Sequence, residues 1–155
     1  MIEIKRERFH DVIDEALPIL RENYAEVSGC KTPMNIDMNA YAITEEQDMF
    51  RAYVARNAST LIGYAAFFVT RNVHCKHLKQ AVQDTLFVIP AYRSQGVAAQ
   101  LLECVERELK KEGVSLLYSD VNQAHPQLAR LLKNRGYEMT RSIYLKRLDG
   151  DESHV

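Results

Sequence analysis

Apolar residues change their spacing several times along the chain, and each change marks an element. Met1 to Lys5 alternates apolar and charged positions, as a short strand with one buried face does. Phe9, Val12, Ile13, Ala16, Leu17, Leu20, Tyr24 and Val27 then recur at three- and four-residue spacing, which predicts an amphipathic helix or a close helix pair over Phe9 to Val27. Pro18 lies within that stripe. It lacks an amide donor and crowds the preceding turn, so a kink or a restart is expected there. The periodicity is lost from Ser28 to Ala42, which reads as a long loop. Thr44, followed by Glu45, Glu46 and Gln47, reads as the N-cap of a brief helix.

Period-two patterning takes over in the middle of the chain. Arg51 to Ala55 and Thr60 to Thr70 form a hairpin across the turn-forming run Arg56 to Ser59, and Val82 to Ile89 is the next antiparallel strand, stopped by Pro90. Val97, Leu101, Val105 and Leu109, with Ala98 and Leu102 beside them, predict a helix of about four turns that ends at Gly113. Ser115 to Val121 is a strand. It must run parallel to Val82 to Ile89, because a helix crosses between them. After the turn Asn122 to Ala124, Pro126 opens a helix with Leu128, Leu131 and Leu132 on its apolar side, and Arg135-Gly136-Tyr137 closes it. Tyr137 to Thr140 and Ile143 to Lys146 are expected to be short final strands, with a polar, disordered tail at 149–155.

Composition narrows the function classes. With 155 residues, 46% of them hydrophobic, the chain can bury one sizeable core, so residues 1–148 are expected to form a single domain. A net charge of -1 gives no reason to expect a nucleic-acid or membrane partner. Charges at Glu3, Lys5, Arg6, Glu7 and Arg8 exclude a signal pattern, and the longest apolar run, Leu61 to Val69, is too short to span a bilayer. Cys30, Cys75 and Cys104 are an odd, sparse set that fits a reduced, cytoplasmic protein. His74, Cys75 and His77 sit together, but a fourth ligand at a usual spacing is missing, so a solvated connection is expected rather than a metal.

The candidate chemistry begins where the central strand meets the central helix. The first amides of that helix, around Gln95 to Ala99, have no partner inside it, and Gly96 and Ala98 leave room for a phosphate to approach them. No Gly-Lys-Ser/Thr follows as in a P-loop, and the three glycines of a dinucleotide fingerprint are absent. What remains is Arg93-Ser94-Gln95-Gly96-Val97-Ala98 after a strand ending Val88-Ile89-Pro90.

Those residues resemble the acetyl-CoA-binding motif of the GNAT N-acetyltransferases, Arg/Gln-x-x-Gly-x-Gly/Ala, and the resemblance runs from about Val54 to Leu148. Within the family the chain looks most like small phage and prophage members. The resemblance implies a central mixed, mostly antiparallel twisted sheet with one parallel, splayed strand pair, flanked by helices. It also implies that Leu86, Phe87 and Val88 pair with the pantetheine arm of acetyl-CoA, and that Arg93, Ser94, Gln95, Gly96, Val97, Ala98 and Ala99 wrap the pyrophosphate. Asn122 is either a further contact to the pantetheine arm or a turn residue.

Transfer to an amine needs a base and benefits from an acid at the leaving thiolate. Asp84, in the entry half of the central strand, is the candidate base, with an edge or turn-pairing carboxylate as the alternative. Many relatives carry a tyrosine acid four residues before the Gly-Phe/Tyr that ends the last helix, and here that position is Leu132. Tyr118, His125, Tyr144 or water are the alternatives, and His125 reads equally as a cap. Met34, Ile36, Met38 and Tyr41 either line the acceptor site, as the resemblance implies, or pack over the core edge. Two readings follow: an N-acetyltransferase acting on a primary amine, with homodimers frequent in the family, or a non-catalytic acyl-CoA-binding or protein-interaction module. An unrelated α/β domain is the third.

Overall fold

A computed structural model describes residues 1–28 and 33–148, which leaves Cys30 and the predicted tail at 149–155 outside the described residues. Five strands form one sheet in sequential order: β1 (Ile2–Glu7), β2 (Phe50–Asn57), β3 (Thr60–Arg71), β4 (Lys79–Val88) and β5 (Val114–Tyr118). The first four are antiparallel to their neighbours, and β5 runs parallel to β4 because helix α3 (Val97–Lys111) connects them. The sheet is covered on both faces. That is why Phe50 to Ala55 and Leu61 to Phe67 are almost continuously apolar, and why simple alternation is weak in β2 and β3.

One core layer lies under α1 (Phe9–Val27). Phe9, Val12, Ile13, Ala16, Ile19 and Leu20 meet Phe50, Val54, Tyr64 and Phe87 there. The other lies under α3, where Val97, Leu101, Val105 and Leu109 meet Tyr53, Ile62, Phe67 and Val88. The four-residue spacing read from α3 is therefore its buried face, extended by Leu102 and Cys104. Arg51 is only 2% exposed, yet it lies in β2. Its guanidinium donates to Glu112 beyond the end of α3 at 2.9 and 3.0 Å and to the carbonyls of Asp48 and Phe50, so the charge enters the interior fully partnered.

Several expectations are corrected. Helix α1 runs as one element through Pro18, with neither a restart nor a second helix. Ile19, outside the predicted stripe, is buried. Helix α2 (Met38–Glu46) begins within the predicted loop, capped by Asp37, whose carboxylate accepts from the Ala40 amide at 2.9 Å. Thr44 lies inside that helix, and its hydroxyl donates back to the Ala40 carbonyl at 3.0 Å. The cap is Asp37 and not the expected Thr44.

The two final strands are absent. Residues 137–148 carry no strand, and Met139, Ile143, Tyr144, Leu145 and Leu148 are exposed. Helix α4 (Pro126–Asn134) does end as predicted. Gly136, at φ +87°, lets its own amide reach the Lys133 carbonyl while the Tyr137 amide reaches that of Leu132, which is a Schellman closure. Between β3 and β4, the Asn72 carboxamide accepts from the His74 and Cys75 amides and tightens the connection. Among the described residues, no group of three His, Cys, Asp or Glu side chains is placed to hold a metal.

Candidate active site

The parallel pair parts early. Pairing of β4 with β5 stops at Val82 opposite Tyr118, whereas pairing of β4 with β3 continues to Val88 opposite Gly63. From Gln83 to Val88 the β4 backbone therefore has a neighbour on one side only, and its other edge faces a gap. Leu86, Phe87 and Val88 all lie on that open stretch. Their side chains serve the core, with Phe87 and Val88 buried against opposite layers, so any ligand along this edge meets backbone.

At the far end of the gap, Pro90–Gln95 forms a 3-10 turn and Gly96, at φ +74°, swings the chain into α3. Residues with a Cβ rarely adopt that conformation. No side chain caps the helix, and its Gly96 carbonyl first accepts from the Gln100 amide, so the amides of Val97, Ala98 and Ala99 find no acceptor within the helix. A Cβ placed on Gly96 would meet nothing within 4 Å. The loop is open to a ligand and carries the positive end of the helix dipole. Ser94 is exposed, and Gln95 turns back to the Ala91 carbonyl at 3.2 Å.

Arg93 is held on three sides. Its Nε donates to the Val88 carbonyl at 2.8 Å, its guanidinium lies 5.0 Å from the Phe87 ring centroid, and its Nη1 and Nη2 reach the Glu26 carboxylate at 3.0 and 2.6 Å. Glu26 sits in the last turn of α1. Across the gap, Asn122 donates to the Val27 carbonyl, and the His125 ring lies 3.3 Å from the Glu26 carbonyl. The end of α1 thus bridges the two walls. Asn122 also accepts from the Ala124 amide at 2.8 Å, which is the turn role, one of the two alternatives for it. His125 stands at the N-cap of α4, but its ring makes no capping bond.

Near the start of the gap lies Asp84. Ala66 pairs with Thr85 and Phe67 with Gln83, so Asp84 is the extra residue of a β-bulge, a device that turns a side chain out of the strand's alternation. The Tyr41 hydroxyl donates to Asp84 Oδ2 at 3.0 Å and the Thr85 hydroxyl donates to the same oxygen at 3.2 Å. Asp84 opens to solvent through the mouth of a cavity, but the protein walls displace much of the water around its carboxyl. This loss of water pushes its pKa above the ordinary carboxylate value, while the two hydroxyls pull it down. Burial, and then the Asp84 charge, raise the Tyr41 phenol.

The cavity is about 560 Å³ and is lined by residues of α1, α2 and the segment before it, together with Tyr64, Asp84 and Thr85. Met34, Ile36 and Tyr41 line it and also pack against the core layer under α1, whereas Met38 is exposed outside it. The suggested acids are not gathered here. Tyr144 is 94% exposed, and Tyr118 lies under the Arg141 guanidinium at 4.6 Å. Leu132 is buried. Tyr41 is the phenol that meets the carboxylate. Its place depends on α2 starting before Thr44, at the Asp37 cap.

A sheet with one parted parallel pair and an open helix N-terminus at the end of the gap form the arrangement expected from the GNAT resemblance. The model of the acetyltransferase (GNAT) family matches residues 13–137, and the chain belongs to that family. Solved structures of similar fold include a ribosomal-protein-alanine N-acetyltransferase from Brucella melitensis biovar Abortus 2308, at TM-score 0.73 and 18% identity, covering 94% of this chain and 98% of that one. A predicted acetyltransferase with acetyl-CoA from Clostridium acetobutylicum aligns at TM-score 0.73 and 15% identity, covering 96% and 97%. An aminoglycoside N-acetyltransferase in complex with CoA aligns at TM-score 0.75 and 17% identity, covering 95% and 94%. At such identities the likeness is one of fold. No curated protein matches the chain.

Proposed function

We propose that residues 1–148 form one N-acetyltransferase domain that moves an acetyl group from acetyl-CoA directly to a primary amine. The observation that carries this reading is the continuous gap from Asp84 to Gly96, bounded by the edge of β4 that β5 leaves unpaired and by the uncapped start of α3. Acetyl-CoA supplies the activated acyl group as a thioester. The amides of Gly96 to Ala99 hold its pyrophosphate, and the β4 edge from Leu86 to Val88 pairs with the pantetheine arm. One β4 amide donates to the thioester carbonyl, where negative charge develops during attack. Asp84 takes a proton from the amine as the new C–N bond forms, and the C–S bond breaks to release the CoA thiolate, which solvent protonates. Tyr41 holds Asp84 in position.

A second reading is a non-catalytic acyl-CoA-binding or protein-interaction module, and Leu132 favours it, since a buried leucine replaces the usual phenol. Calorimetric titration with acetyl-CoA and with free CoA, followed by thiol release with amine acceptors, separates the two readings. Micromolar binding that is lost in Gly96→Glu, followed by amine-dependent thiol release, supports the transferase. Binding without turnover for any amine supports the module, and absence of binding to either ligand overturns both.

A further inference from the structure

The cavity beside Asp84 has a mixed lining, in which Asn23, Asn35 and Asp37 stand among apolar side chains. Phe9, Leu20, Met34 and Ile36 give its body an apolar wall, whereas Tyr41 and Asp84 mark a polar end at β4. Its ionisable side chains include the carboxylates of Asp37 and Asp84, and no Lys, Arg or His lines it among the described residues. The two carboxylates are not equivalent. Asp37 Oδ1 is committed to capping α2 through the Ala40 amide. Asp84 holds both hydroxyl donors on Oδ2, so among the described residues Oδ1 has no hydrogen-bond donor and is available to a ligand N–H.

Resting on the transferase reading, we infer that the acceptor is a small-molecule monoamine whose body is an alkyl or aryl group without a carboxylate, held with its nitrogen at Asp84 Oδ1 and its apolar part against Phe9, Leu20, Met34 and Ile36. The volume suits a molecule of small-ligand size. A free amino acid is disfavoured, because its carboxylate would meet the acids Asp37 and Asp84 and no cation among the described lining residues. A polyamine is disfavoured where its further charges would lie against Phe9, Leu20, Met34 and Ile36, since they would be stripped of water there. The selectivity comes from what the wall cannot solvate as much as from what Asp84 attracts.

Phenethylamine and phenylalanine make the decisive pair, because they differ only by a carboxylate. CoA binding is first confirmed by calorimetry, and thiol release from acetyl-CoA is then compared for phenethylamine, hexylamine, phenylalanine, spermidine and a short peptide with a free N-terminus. The expected result is a kcat/KM for phenethylamine at least about 100-fold above phenylalanine and about 10-fold above spermidine and the peptide. Met34→Arg and, separately, Ile36→Arg place a cation in the wall. Either variant that retains CoA affinity should narrow the phenethylamine preference over phenylalanine by about 10-fold or more. If CoA does not bind, the transferase reading falls and this inference with it. If CoA binds but phenylalanine, spermidine or the peptide is the better acceptor, the acceptor assignment alone is overturned, whereas CoA binding with no amine acetylated overturns the transferase reading and this inference with it.

Discussion

The guanidinium of Arg93 and the carboxylate of Glu26 meet through two hydrogen bonds across 67 positions of sequence. The pair brings the end of α1 against the loop that leads into α3, and Glu26 thereby places a negative charge beside the proposed pyrophosphate site. The pair is partly exposed, so its own contribution to stability is small. Its consequence for anion binding is larger.

Replacing Glu26 with Gln removes a like charge from the approach of CoA and releases Arg93 to face it. The expected outcome is tighter binding of free CoA, by about 2- to 5-fold at low salt, with the gain shrinking as salt is raised. Calorimetry at two ionic strengths reads it directly. Weaker binding instead would make Glu26 a supporting wall of the site rather than a competitor.

Asp84→Asn should uncouple activity from stability. Loss of the base is expected to lower kcat by about 100- to 10,000-fold while CoA affinity stays within about 2-fold. The stability effect has the opposite sign. A raised pKa means that the folded state favours the protonated carboxyl, so the wild type loses stability as pH rises through that raised value, and the uncharged Asn avoids the loss. With the carboxylate open to solvent the gain is modest, a rise of about 1–3 °C in Tm at neutral pH that disappears below about pH 4. A neutral-pH Tm below wild type would contradict the desolvation argument.

Tyr41→Phe tests positioning without touching the base itself. The phenol donates to the charged form of Asp84, so its removal should raise the carboxyl pKa further and move the acidic limb of the kcat/KM profile upward by about 0.5–1 pH unit. The mutant should recover much of its rate at higher pH. A uniform loss at every pH would indicate a packing defect in the Phe9, Tyr41 and Phe50 ring cluster instead.

Glu112→Gln probes the buried arginine far from the gap. Arg51 keeps Asp48 and two carbonyls but loses its main counter-charge, so a cost of about 1–3 kcal/mol in denaturant unfolding is expected, with unchanged CoA affinity. An unfolding midpoint equal to wild type would mean that Asp48 alone neutralises the charge.

The helices and strands that carry long apolar patterns were legible in the sequence because burial on a defined face dictates them. Val97, Leu101, Val105 and Leu109 are the clearest case, and Gly96 and Gly136 were readable from the backbone conformations they permit. The start of α2 was not, because Asp37 and Thr44 are both good caps and tertiary packing of Tyr41 onto Phe9 and Phe50 decides between them. The same ambiguity hid the Tyr41 contact with Asp84. Residues 137–148 misled in the other direction, since Ile143 to Lys146 has strand-like composition but no ladder forms there.

Counting β3 against β4 from Gly63 and Val88 down to Arg71 and Lys79, every residue of β4 has an opposite number except Asp84. It is the remainder in the division. A chain shortened by that one residue could close the ladder into regular pairing and keep both core layers, with no carboxylate left at the mouth of the gap. The proposed base therefore stands at the position that the sheet could omit with least change, and a folded protein without that carboxylate lies one deletion away.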